Sequence, residues 1–85
     1  MKQEKLTILA QAGIHARPAG NLAKAAKTFK STITLNKDGK IAKATNVISI
    51  MGLAAKQNSE IILSVDGEDE NEAFEAMKKI ILEAE

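Results

Sequence analysis

The alternation of apolar and polar positions divides the chain into short strands and short helices. Leu6-Thr7-Ile8-Leu9, preceded by charged residues, reads as a strand, and Ala10 to Ile14 as a loop containing Gly13. A helix is predicted from about Ala16 to Phe29: Ala19, Leu22, Ala26 and Phe29 recur at helical spacing, while Lys24, Lys27 and Lys30 lie off that stripe. Thr32-Ile33-Thr34-Leu35-Asn36 alternates as a strand does. Lys37-Asp38-Gly39-Lys40 supplies a hairpin turn and Ile41-Ala42-Lys43-Ala44 the return strand. Asn46 is suited to cap a helix from Val47 to about Ala55, because its side-chain oxygen accepts from the first unpaired amides. Glu60 to Val65 forms a further strand and Asp66-Gly67 turns the chain. Asp69 is then placed to cap a last helix, with Glu72 at the capping-box position. In that helix Ala73, Phe74, Met77, Ile80, Ile81 and Ala84 form one apolar stripe.

The resulting order is β-α-β-β-α-β-α. A tight hairpin implies antiparallel pairing, and short helices with one apolar stripe need a sheet face to cover. The expected class is α+β: an open-faced sandwich with a four-stranded antiparallel sheet, helices on one face and water on the other. The middle helix departs from the one-stripe rule, since Val47, Ile48, Ile50, Met51, Leu53, Ala54 and Ala55 are apolar nearly all round. With Ile50, Leu53 and Ala54 turned to the sheet, Val47, Ile48 and Met51 remain partly exposed, and exposed apolar patches mark docking sites.

Composition narrows the class. The 85 residues correspond to one small domain, 1–85, with 45% hydrophobic residues and Phe29 and Phe74 as the only aromatics, so the core is aliphatic. Cysteine is missing and histidine occurs once, which excludes disulfides and thiolate zinc sites and argues against a protein-bound transition metal. The carboxylates Glu68, Asp69, Glu70 and Glu72 cluster where a helix N-terminus favours negative charge, and they lack the spacing of a calcium loop. A net charge of +1 without aromatic stacking residues leaves no nucleic-acid footprint. The apolar runs are too short for a membrane-spanning helix, and the charged start, Met1-Lys2-Gln3-Glu4-Lys5, lacks a signal-peptide core, so a cytoplasmic monomer is the simplest expectation.

The single histidine carries the candidate chemistry. It lies in Gly13-Ile14-His15-Ala16-Arg17-Pro18-Ala19, at the start of the first helix. The first amides of a helix are unpaired and its dipole is positive there, so an anion formed on His15 meets favourable charge at once. Arg17 adds a guanidinium matched to phosphate oxygens, Pro18 fits the first turn without losing a needed N–H, and Gly13 permits close backbone approach. A lone imidazole in this setting is placed to accept a phosphoryl group and hold it briefly.

The segment Gly13 to Ala19 resembles the active-site signature of the HPr family, the histidine phosphocarriers of the bacterial sugar phosphotransferase system. The similarity extends over the whole chain: its length, the Asp38-Gly39 hairpin, the apolar middle helix and the string Gly67-Glu68-Asp69-Glu70. The resemblance implies an HPr-like fold. It implies that His15 takes a phosphoryl group on Nδ1 from phosphorylated enzyme I and passes it to sugar-specific enzyme IIA domains. Arg17 and the amides of Ala16 and Arg17 would steady that group. Gly20, Lys24, Lys27, Val47, Ile48 and Met51 would dock both partners. No cofactor is implied, the phosphoryl group coming ultimately from phosphoenolpyruvate, and the protein would be a covalent carrier rather than an enzyme. A regulatory or nitrogen-related HPr-like protein acting by protein–protein binding is the alternative.

One departure concerns regulation. Gram-positive members of that family carry a regulatory serine in a Ser-Ile-Met-Gly string, and Ser49-Ile50-Met51-Gly52 reproduces the string here. Matching lengths without gaps from Gly39-Lys40 to Glu60-Ile61 instead puts Asn46 at the regulatory position. Asn46 retains a cap but has no hydroxyl, so no regulatory phosphoserine is expected.

Overall fold

The computed structural model describes residues 1–84. Its elements are β1 (Lys2–Thr7), α1 (Ala16–Ala26), β2 (Thr32–Lys37), β3 (Lys40–Lys43), α2 (Val47–Gly52), β4 (Glu60–Asp66) and α3 (Glu70–Glu83). The strands form one antiparallel sheet in the order β1-β4-β2-β3, so β1 and β3 are its outer strands. Period-two alternation decides which face is covered: Leu6, Ile33, Leu35, Ala42, Ile61, Leu63 and Val65 are buried, while Lys5, Thr7 and Lys43 are exposed and Thr34, Ile62 and Ser64 half-buried. Leu22 and Ala26 of α1, Ile50 of α2 and Phe74, Met77 and Ile81 of α3 close the core from one side. The structure is thus the open-faced α+β sandwich expected from the pattern. The β2–β3 hairpin pairs Lys37 with Lys40 across a two-residue turn, with Asp38 and Gly39 at φ 54° and 89°, and Gly39 donates its amide to Asn36 Oδ1 at 3.1 Å.

Three boundaries and one cap differ from the sequence expectation, each for a physical reason. β1 spans Lys2–Thr7 rather than starting at Leu6. Lys2 and Glu4 lie on the Leu6 side of the strand and reach α3: Lys2 Nζ stands 4.9 Å from the Phe74 ring centroid, and Lys78 Nζ donates to Glu4 Oε2 at 2.9 Å. Charged side chains with long stems cover α3 where apolar ones would be expected. α1 ends at Ala26, because Thr28 and Phe29 donate to Ala25 and Ala26, three residues back, and Phe29 packs against the core from a tightened turn.

α2 ends at Gly52 instead of about Ala55. Leu53 is buried as expected, but Ala54 is exposed, at φ +52°, and does not pack on the sheet; Ala55 is buried in its place. The capping box at Asp69 and Glu72 does not form either, since Asp69 makes no side-chain bond to its own helix. Its carboxylate instead accepts from the Lys30 and Ser31 amides at 2.8 and 2.9 Å and from the Ser31 hydroxyl, tying the α1–β2 loop to the start of α3. Those donors, the Ser31 hydroxyl foremost, hold the Asp69 carboxyl below the usual aspartate range.

Candidate functional site

His15 is the N-cap of α1, in extended conformation (φ −96°, ψ −165°), and its carbonyl accepts the Ala19 amide at 3.0 Å. The imidazole replaces the usual hydroxyl or carboxamide cap: Nδ1 accepts from the Arg17 amide, at a long 3.4 Å. Nδ1 therefore presents its lone pair to the first turn of α1. Pro18 is buried and contributes no N–H, so the turn's donors facing an anion on Nδ1 are those before it, at Ala16 and Arg17. Both of these amides were named by the sequence expectation, and the structure sets the Arg17 amide against Nδ1.

The loop leading into His15 is held from outside the helix. Gly13, at φ +70°, lies so close to the turn after α2 that a Cβ there would fall 2.3 Å from the Ala55 carbonyl oxygen. The next amide, Ile14, donates to that same oxygen at 2.8 Å. The close approach expected of Gly13 is real, and its partner is the backbone leaving α2. No sequence signal marks Ala55 for this task, because it acts through a main-chain atom.

The Arg17 side chain is exposed and borders a groove of about 330 Å³ between α1 and α3, lined also by Asn21, Lys79, Ile80 and Glu83. Lys79 shares this groove with Arg17 only through the packing of α3 on α1, so the sequence pattern did not link them. Lys24 and Lys27 are exposed on α1, and Gly20 is half-buried with open space where a Cβ would stand. On α2, Ile48 is 82% and Met51 43% exposed, while Val47 is half-buried against the core, leaving an apolar surface on the helix whose exit turn holds the His15 loop. Asn46 Oδ1 accepts from the Ser49 amide at 3.1 Å, so Asn46 is the cap and Ser49 lies within the first turn. Among the described residues, no group of three or more His, Cys, Asp or Glu is arranged to hold a metal ion, and no helix is long and apolar enough to cross a membrane.

A family model, the PTS HPr component phosphorylation site, matches residues 2–83. The chain belongs to the PTS-HPr family. Its PTS-HPr relatives include the phosphocarrier protein HPr of Lysinibacillus sphaericus, 42% identical over 98% of this chain and 94% of that protein. The HPr-like protein Crh of Bacillus subtilis (strain 168) is 36% identical over 98% of each chain. Among solved structures, HPr-C-His from Thermoanaerobacter tengcongensis superposes with a TM-score of 0.90 at 37% identity, covering 95% of this chain and 91% of that one. The fold is therefore the PTS-HPr fold, and the protein is a member of a family of phosphocarriers.

Proposed function

We propose that this PTS-HPr protein is a phosphoryl relay of the sugar phosphotransferase system, receiving the group on His15 from phosphorylated enzyme I and delivering it to enzyme IIA domains. The observation that carries this reading is the His15 cap, with Nδ1 directed at the Arg17 amide. In the transfer, the Nδ1 lone pair attacks phosphorus while the bond from phosphorus to the donor's atom breaks. The proton of the neutral ring stays on Nε2. The new dianion displaces the long Nδ1 contact and takes up the Ala16 and Arg17 amides, with the Arg17 guanidinium as a charge-assisted donor. These groups steady the loaded state while leaving it exposed, so the next acceptor can reach it. No resident cofactor is needed, since the phosphoryl group is cargo drawn ultimately from phosphoenolpyruvate.

Ile48, Met51 and Val47 supply the apolar centre of the docking surface. Lys24 and Lys27 supply charge that steers acidic partners, and the flat surface at Gly20 admits close approach. Asn46 leaves α2 capped but without a phosphorylatable hydroxyl, so control by an HPr kinase is absent. We assign the protein to the cytoplasm, as a monomer that meets each partner transiently.

The test is incubation with enzyme I, Mg²⁺ and phosphoenolpyruvate, followed by intact-mass measurement. An acid-labile adduct on the parent chain and none on His15→Ala is the expected result. Arg17→Ala should slow acceptance about 10- to 100-fold, the loss of one hydrogen bond to a charged group. The similarity to Crh favours a second reading, a regulatory protein that works by binding. Absence of an adduct with several enzymes I would select it.

A further inference from the structure

We propose that the turn leaving α2 is the positioning element for His15, with the left-handed Ala54 as its adjustable joint. The inference rests on the carrier reading of His15 and assigns that site its mechanical support.

The segment from Ile8 to Ile14 is bonded at one end to the turn that enters β4 and at the other to the turn that leaves α2. At one end Ile8 donates to the Ser59 carbonyl and Asn58 donates to the Ile8 carbonyl, both at 2.8 Å. At the other end Ile14 donates to the Ala55 carbonyl at 2.8 Å, with Gly13 pressed against the same oxygen. His15 is the next residue, so its position follows that of Ala55. The position of Ala55 depends in turn on Ala54. Leu53 and Ala55, on either side, are each 5% exposed and fixed in the core, whereas Ala54 is exposed at φ +52°. An L-residue other than glycine held left-handed stores strain, and it persists only where its neighbours over-determine it. The joint also lies two residues beyond α2, the helix that presents Ile48 and Met51.

The side chain at residue 54 projects into solvent, so a Gly, Ala, Val series changes backbone preference with little loss of packing. Native-state hydrogen exchange of the Ile14 amide reads the joint, and the Leu63 amide, in a strand flanked on both sides, reads global opening. Ile14 protection relative to Leu63 should fall in the order Gly, Ala, Val, by about fivefold per step. The His15 ring resonances should move in the same order. With enzyme I and phosphoenolpyruvate, Ala54→Val should lower the limiting rate of acceptance by at least about threefold, while the half-saturating concentration stays put because Ile48 and Met51 are untouched.

Ile14 protection that merely tracks Leu63, or His15 resonances that do not move across the series, overturns the proposal. An unchanged limiting rate alongside altered Ile14 protection overturns it as well. If the parent chain accepts no phosphoryl group, the carrier reading fails, while the exchange order and ring resonances still decide whether the turn positions His15.

Discussion

Glycine to alanine, the smallest side-chain addition, should have opposite effects at Gly13 and Gly20. At Gly13 the φ of +70° is left-handed, and a Cβ would lie 2.3 Å from the Ala55 oxygen and 2.9 Å from the Lys56 Cα, both backbone atoms. The conformational penalty is about 1–2 kcal/mol and the displacement of packed backbone about 1–3 kcal/mol, a total of ~2–5 kcal/mol. A chain of 85 residues has roughly 4–13 kcal/mol in all, so Gly13→Ala removes a large share of its stability. At Gly20, inside α1, nothing lies within 4 Å of the added Cβ. Alanine there should stabilise the helix by ~0.8–1 kcal/mol and raise Tm by about 4–8 °C. Urea and thermal unfolding of both variants measures the pair, with equal m-values confirming that the same surface is exposed. Gly13→Ala within about 0.5 kcal/mol of the parent, or two shifts of the same sign, would refute the reasoning.

Three further outcomes follow from the same structure. Ile48→Ser, at a side chain 82% exposed, should change stability by no more than about 0.5 kcal/mol yet raise the half-saturating concentration with enzyme I about 5- to 30-fold; an unchanged half-saturating concentration would remove Ile48 from the docking surface. Asn46→Ala should cost about 1 kcal/mol through loss of the bond to the Ser49 amide, read as a lower Tm, and neither protein should gain phosphoserine from an HPr kinase and ATP. Asp69 carries a pH dependence: its folded carboxyl is held below its unfolded value, so the unfolded chain binds the proton first as pH falls. The stabilisation is complete above the usual aspartate range and lost as pH drops through the folded value, and Asp69→Asn should flatten that acid limb in urea titrations. Limbs of equal slope would mean that the Ser31 and Lys30 bonds to Asp69 contribute no proton linkage.

The contiguous parts of the site were legible along the chain. His15, Arg17 and Pro18 lie within one turn, so their proximity follows from spacing alone, and alternation in β2 and β4 was enough to assign the covered face. Relationships made by the fold were not legible. Asp69 with Glu72 satisfies the local pattern of a capping box, yet the Asp69 carboxylate binds residues 38 and 39 positions away. Leu53, Ala54 and Ala55 continue the apolar run of α2, and no glycine announces that Ala54 turns left-handed. Lys2 and Glu4 hide the start of β1 because their function, covering Phe74 and pairing with Lys78, depends on where α3 lands. Local rules were overridden wherever a tertiary partner offered a better bond.

An open sheet leaves two unpaired edges wherever copies of the protein crowd together. Both outer strands offer backbone groups to a neighbour. β1 presents Lys2 and Lys5 and β3 begins and ends with Lys40 and Lys43, so two copies meeting edge to edge bring like charges together before a single ladder bond forms. Lysine on both edges therefore opposes the simple addition of a further strand at either side of the sheet.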